Sequence, residues 1–504
     1  MKRKALSINI IFNLANTVVN LLYSFFITPI VTEHVGTAAY GYISLANNFT
    51  SYMSIVTIAI NSMAYRFIMV NYYKKKFDDS SKYFSSVVFA NMFFSIAMTV
   101  PLFFFVLFLN NFIRIDANLV FDVKLLFGLI FINFLFSIIT SIYNACFYIT
   151  NKLYLDSLKN ILGNILRVVL IFLLFFAIGY RVYIVGVGAL ISTAVYYLFS
   201  AFFKKKLTPE VKCKLSFFSG VYLKQLLILG VWDSITQLTL VLNDGLDLLL
   251  CNLFISSETM GMLSIAKAIP TIILTIATSL SNIFLPDLTK HYSADDQKGF
   301  KTTLDRGIKI IMFLLTILYA GFTVFGQDFF RLWLPTKDSE LLYRLAIVSI
   351  LGLYCTLATT PVLIVFVLTK KVKLNAFVSL GVSFTNVGLV FLLLRFSNLG
   401  VYAIAGVSSI TTLLRYIFWT YPYASKCISE KWHYFYRYPL RNLLSLVISI
   451  VLCLGVKKFF DIHSWLSFLL CCSIAGTFLI ISNLFTCFDK ETRNGLFGKV
   501  FKRV

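Results

Sequence analysis

The sequence predicts an all-α polytopic membrane protein. About fourteen spanning helices form two parallel six-helix repeats around a central cavity, with two further helices at the C-terminus. Three observations lead there. Apolar runs of about 18–25 residues recur from end to end, each long enough to cross a hydrocarbon core of roughly 30 Å. Charge is sparse: 13% of the 504 residues are charged and 59% are apolar, with mean hydropathy +0.84, whereas a soluble domain is about 25% charged. Finally, the chain registers on itself at a shift of 220 residues.

The expected spans are 10–31, 40–65, 83–109, 123–148, 159–179, 182–203, 226–255, 260–285, 308–327, 345–368, 376–395, 400–422, 443–459 and 465–487. The opening Met1-Lys2-Arg3-Lys4 and its apolar run are built like the first two regions of a signal peptide. Cleavage is not expected, because the run carries Asn13, Asn16 and Asn20 and has a counterpart deep in the chain. Orientation follows from Lys and Arg. Inside segments include Lys2-Arg3-Lys4, Lys74-Lys75-Lys76, Lys204-Lys205-Lys206, Lys370-Lys371 and Lys502-Arg503. About 32 of the 45 basic residues fall there and about 9 outside, which puts both termini in the cytoplasm. The outer loops are short, so no external domain is expected.

In the 220-residue register, Tyr40-Gly41-Tyr42-Ile43-Ser44-Leu45-Ala46-Asn47 lies over Met260-Gly261-Met262-Leu263-Ser264-Ile265-Ala266-Lys267. Asn13 lies over Asp233, Thr17 over Gln237 and Ser24 over Asp244; a shift of 219 puts Val182-Tyr183 over Val401-Tyr402. Six helices per repeat is an even number, so the halves are parallel and related by an axis along the membrane normal. The expected divisions are 1–215, 216–430 and 431–504, the last holding two additional helices and a basic tail.

Trp232 to Pro270 is the costliest stretch. Asp233, Gln237, Leu240, Asp244 and Asp247 are spaced four, three, four and three apart and share one helix face. Carboxylates inside a membrane are expensive and cannot face lipid, so Asp233, Asp244 and Asp247 are candidate ion-coupling groups. Asp247 and Lys267 lie about ten residues either side of the expected turn near Ser257, roughly 15 Å deep. They form either a structural ion pair or a substrate-responsive one, which leaves Asp244 as the sharper coupling candidate. Asn13, Asn16 and Asn20 stripe the first helix; Asn47, Asn48, Ser51 and Asn61 the second; Lys267, Thr271, Thr275, Thr278 and Asn282 the eighth. Such residues line cavities or join helices by hydrogen bonds. Arg66, Arg167, Lys267 and Arg415 are the basic residues in or near helix interiors. They would counter an anionic headgroup, guanidinium suiting phosphate because its donors match two oxygens. Arg66 and Arg415, read as near helix ends, could instead snorkel.

Other classes are excluded. The net charge of +23 sits in short clusters between apolar runs, a pattern that suits anionic lipid headgroups rather than nucleic acid. The nine cysteines form no C-x-x-C pair and the four histidines are scattered, so no metal site is expected. No G-x-x-x-x-G-K-[ST] loop is present. Drive must come from an ion gradient, the membrane potential or downstream consumption of substrate.

Asn243-Asp244-x-x-Asp247, Gly261-x-x-Ser264-Ile265-Ala266-Lys267, Phe284-x-Pro286 and Val401-Tyr402-Ala403-Ile404-Ala405-Gly406 resemble the polysaccharide repeat-unit flippases of the multidrug/oligosaccharidyl-lipid/polysaccharide exporter superfamily. The resemblance covers essentially the whole chain. It implies a non-enzymatic flippase that moves an undecaprenyl-diphosphate-linked oligosaccharide across the bacterial plasma membrane by alternating access. The cargo would be a repeat unit for capsule, O-antigen (lipopolysaccharide) or teichoic-acid assembly. Implied partners are that lipid-linked oligosaccharide, membrane lipids and other polysaccharide assembly proteins. No cofactor is implied beyond proton or sodium coupling. Alternatives are a cation-coupled multidrug or metabolite exporter of the same superfamily, the flippase for the peptidoglycan precursor, and an envelope polymerase or glycosyltransferase.

Overall fold

The computed structural model describes residues 2–369, 371–489 and 493; of residues 2–7, 10, 14, 244 and 355 it describes the backbone alone. No strand occurs among the described residues. The long helices are α1 (Lys2–His34), α2 (Thr37–Tyr73), α3 (Phe77–Leu107), α4 (Val120–Ser141), α5 (Leu153–Ile178) and α6 (Tyr183–Leu207). They continue as α7 (Gly220–Phe254), α8 (Ser257–Ser293), α9 (Gln297–Trp333), α10 (Ser339–Leu357), α11 (Val372–Phe396), α12 (Val401–Cys427), α13 (Arg437–Lys457) and α14 (Trp465–Thr486). The chain is a multi-pass membrane protein: thirteen helices among the described residues are long and apolar enough to cross a bilayer. The expected span 345–368 is the exception. It breaks at Ala358–Pro361 into α10 and a short helix, Val362–Leu368, because proline cannot continue the hydrogen-bond ladder.

The repeat reappears in the turns. Lys75 and Asp295, 220 residues apart, both take positive φ (59° and 53°) at the α2–α3 and α8–α9 turns. Gly179 and Gly400, 221 apart, take φ 97° and 53° at the α5–α6 and α11–α12 turns. A Cβ is disfavoured there, so the glycines are structural.

By contact the chain divides into two compact units, 1–264 and 265–504. Their boundary falls inside α8, whereas the sequence repeat divides at 215/216. In the first unit α2 lies along α7, closely enough that a Cβ on Gly230 would sit 2.0 Å from the Ala59 carbonyl oxygen. The linker after α6 runs along the start of α3, pinned by serines. Ser81 accepts from Lys212 N–H (2.9 Å) and Ser85 from Lys214 N–H (3.2 Å), while Ser86 accepts from and donates to the Ser219 backbone.

In the second unit α10 and α12 touch at Gly352, where a Cβ would lie 1.9 Å from the Ser409 carbonyl oxygen. The last two helices are clamped to α9 at three levels. Near one end, Lys309 bridges Asp305 (2.6 Å) and Asp489, and Asp489 also pairs with Arg441 (2.6 Å). In the middle, Asn442 takes bonds from Thr316 (2.9 Å) and Tyr354 (3.0 Å). At the far end, Asp328 holds Lys457 (2.6 Å) and Arg331 (2.8 Å). Ion pairs at the rims and neutral amides in the apolar middle follow the cost of charge with depth.

Candidate translocation site

Three of the candidate residues, Asp247, Lys267 and Arg415, adjoin places where a helix departs from regular α geometry. In α7 the segment Val241–Gly245 winds as a π-turn, a distortion that frees a backbone carbonyl and recurs at functional sites. The freed carbonyl is Gly245, and α2 captures it: Asn48 Nδ2 donates at 3.0 Å and Tyr52 Oη at 2.5 Å. Asp247 follows the break and is 2% exposed. Asp233 is half-buried on the same helix. The side chain of Asp244 lies outside the described residues. Lys267 is half-buried at a one-residue interruption between Ser257–Ala266 and Ala268–Ser293.

Helices α1, α5 and α6 build a polar chain in the first unit. Asn20 bonds Asn16 (3.5 Å) and accepts from Asn164 Nδ2 (2.7 Å), and Asn164 Oδ1 accepts from Tyr196 Oη (3.2 Å). Beside it the Arg167 guanidinium lies 4.6 Å from the centre of the Tyr23 ring. Its Nε is buried without a hydrogen-bond partner, and Arg167 makes no ion pair among the described residues. Arg167 is fourteen residues from the start of α5, about 21 Å along the axis and near mid-bilayer.

Arg415 is the second unit's equivalent. Its Nη1 donates to Ser379 Oγ at 2.6 Å, its guanidinium lies 5.3 Å from the Tyr416 ring centre, and its Nε is also buried and unpartnered. Placement near a helix end does not hold for this residue. A second π-turn, Tyr416–Thr420, carries α12 on to Cys427, so Arg415 too lies near mid-span and snorkelling does not explain it. A shift of 219 puts Arg167 over Asn386 and Tyr196 over Arg415. Each unit therefore carries one deep guanidinium, borne on exchanged helices.

Other expected site residues are placed differently. Asn13 and Asn47 are exposed, and Asn47 donates to its own helix at Ile43 O (2.9 Å). Arg66 is exposed and makes no ion pair among the described residues. Thr271, Thr275 and Thr278 donate to carbonyls one turn back (2.8, 2.8 and 3.0 Å), which occupies their hydroxyl protons. Asn61 pairs with Asn91 of α3 (2.9 Å), joining helices. Sequence reasoning missed Tyr23, Asn164 and Tyr196; the available signal was Asn164 three residues before Arg167, on the same face. An apolar groove of about 290 Å³ in the second unit is lined by Gly321, Phe325, Phe329, Phe468, Cys472 and Gly476.

The fold is that of the multidrug exporters and lipid flippases. Over 94% of this chain and 98% of the other, it matches the inward closed conformation of the lipid II flippase MurJ, with TM-score 0.69 at 17% identity. It matches an inward-facing multidrug resistance MATE family transporter of the MOP superfamily with TM-score 0.67 at 15% identity, over 82% and 94%. With that fold the chain belongs to the family described as "Polysaccharide biosynthesis protein", whose profile matches residues 68–337, more than half its length. It is 24% identical over 459 residues, 91% of each chain, to the uncharacterized membrane protein EpsK of Bacillus subtilis (strain 168).

Proposed function

We propose that the chain is a flippase, not an enzyme, that moves an undecaprenyl-diphosphate-linked oligosaccharide from the inner to the outer leaflet of the bacterial plasma membrane. It works by alternating access with both termini cytoplasmic, and the repeat unit feeds a cell-surface polysaccharide such as capsule or O-antigen. The observation that carries this reading is the pair of deep guanidiniums, Arg167 and Arg415, each with a buried unpartnered Nε. A membrane-centred Arg costs about 2.5–3.5 kcal/mol on insertion scales. Two retained with no carboxylate of the described residues at hydrogen-bonding distance argue for an anionic cargo, and diphosphate offers the paired oxygens a guanidinium binds.

In this account Arg167, Arg415 and Lys267 are the anion-binding groups, with Arg66 a basic group at the cytoplasmic end of α2. Asn13, Asn16, Asn20 and Asn47 supply amides for sugar hydroxyls, and the apolar groove suits a polyprenyl chain. Asp233, Asp244 and Asp247 couple transport to protons or sodium. The family description and the likeness to MurJ support the lipid-linked cargo. The likeness to MATE transporters favours, as a second reading, a cation-coupled exporter of small amphiphiles, for which the two arginines would be poorly chosen.

Depletion of the protein tests the reading. Lipid-linked oligosaccharide should accumulate in the inner leaflet. Unpolymerised units accumulating outside would indicate a polymerase instead, and altered drug tolerance without lipid accumulation would indicate an exporter.

A further inference from the structure

Where α12 ends, the second unit carries a recess of about 550 Å³ lined by Phe418, Trp419, Pro422, Tyr423, Lys426 and Trp432. Phe418, Pro422 and Lys426 follow one another at intervals of four and share one helix face. Counted from Val401, Phe418 lies about 26 Å along the axis and Lys426 about 38 Å. A hydrocarbon core is roughly 30 Å thick, so the strip runs from acyl chains to headgroups. Phe418 is 75% exposed and Trp432 65%, which leaves the recess open to lipid where tryptophan favours the interface. Its inner wall is a stack: Trp419 on Tyr423 (ring centres 4.9 Å apart) and Tyr423 on Phe366 (5.7 Å).

One charge in the recess is uncompensated. Glu430, also on its lining, is held by Lys301 of α9 at 2.5 Å. Lys426 is exposed and makes no ion pair among the described residues, and the same holds for Lys431 beside Trp432. With Arg437 these lysines mark the basic end of α12, the cytoplasmic one under the positive-inside rule.

The recess is also joined to a deep arginine. Phe418 and Trp419 belong to the π-turn Tyr416–Thr420, which begins one residue after Arg415. Tyr421 N–H bonds the Tyr416 carbonyl across that turn, which frees the Ile417 carbonyl, and Tyr436 Oη donates to it. Trp432 packs edge-on against Tyr436, with ring centres 5.6 Å apart.

We propose that this recess binds an anionic phospholipid of the cytoplasmic leaflet, its phosphate on Lys426 and an acyl chain along Pro422 and Phe418. By filling the space beside Trp432, the lipid keeps Tyr436 on the Ile417 carbonyl and steadies the π-turn next to Arg415. The leaflet and the control of a cargo-binding group rest on the flippase reading; the lipid contact does not. The cargo itself suits the recess less well. Its diphosphate calls for paired donors such as a guanidinium fork, whereas Lys426 offers one point charge.

Tryptophan quenching tests the site with the full-length protein in phosphatidylcholine vesicles. Subtracting Trp432→Phe isolates the share of Trp432 among the five tryptophans. Phosphatidylglycerol brominated on its acyl chain should quench that share at about one-fifth the mole fraction that brominated phosphatidylcholine needs. That is the preference one basic side chain gives, about 1 kcal/mol. Lys426→Gln should abolish it; both replaced side chains are exposed, so the fold should survive. Equal quenching by the two lipids, or a preference that survives Lys426→Gln, would overturn the site. Displacement of the brominated lipid by equimolar lipid-linked oligosaccharide would assign the recess to cargo and overturn it too. Amide hydrogen exchange reads the coupling: over Tyr416–Tyr423 it should slow about fivefold with phosphatidylglycerol in the native chain, and not in Lys426→Gln. Unchanged exchange would overturn the control of the π-turn. Quenching by the two phospholipids and amide exchange need no cargo. A native chain that moves no lipid-linked oligosaccharide would therefore refute the flippase reading and leave the lipid site standing.

Discussion

At the scale of residues, the proposed transport turns on two arginines. Charge-assisted hydrogen bonds are worth about 1.5–3 kcal/mol, so Arg167→Ala and Arg415→Ala should each slow translocation roughly ten- to hundredfold at equal membrane abundance. Lys substitutions should restore only part, since an ammonium keeps the charge but loses the planar fork. Normal transport by either alanine variant would remove that guanidinium from the cargo path. Asp489 carries a second prediction. Lys309 and Arg441 hold its carboxyl below the usual range, Lys309 contributing most. A depressed folded value means the clamp contributes fully above the unfolded value of about 3.9 and is lost as pH falls through the folded value. Asp489→Asn should therefore lower the unfolding temperature at pH 7, and that gap should close on acidification below about 3.9. A gap that persisted would show the carboxylate is not what holds α9 to α13 and α14. The deep Arg167 was legible in the sequence because a lone charge in an apolar run stands out. Tyr23, Asn164 and Tyr196 were not, since they meet only across helices 144 and 32 residues apart. Nor can spacing tell a cavity stripe from Thr271, Thr275 and Thr278, whose hydroxyls donate to their own helix.

At the scale of elements, span positions followed from hydropathy alone, while the breaks did not. Pro361 was the available signal for the interruption of α10. The π-turns at Val241–Gly245 and Tyr416–Thr420 had none, because an inserted residue leaves composition and apolar character unchanged. Helix contacts give a paired prediction. Gly352→Ala forces a Cβ toward the Ser409 backbone, where nothing flexible can yield, and should destabilise by about 1–3 kcal/mol. Gly381→Ala in α11 meets nothing within 4 Å and should gain about 0.5–1 kcal/mol from helix propensity. Thermal unfolding of the two purified variants checks both, and equal melting shifts would refute the close contact between α10 and α12.

At the scale of the whole molecule, the repeat was legible because Gly41, Ser44 and Ala46 recur as Gly261, Ser264 and Ala266. The structure explains why these positions match: Gly41 meets Gly261 and Ser44 meets Ser264. The compact units could not be read the same way. Their boundary inside α8 depends on α7 packing along α2, a contact that leaves no periodic trace in either helix.

The most direct test is translocation by the purified protein in vesicles carrying lipid-linked oligosaccharide extracted from depleted cells. With native protein, the fraction reached by an external sugar-modifying probe should rise toward completion, and with Arg167→Ala/Arg415→Ala it should remain at the protein-free level. Equal accessibility with and without native protein would contradict the account.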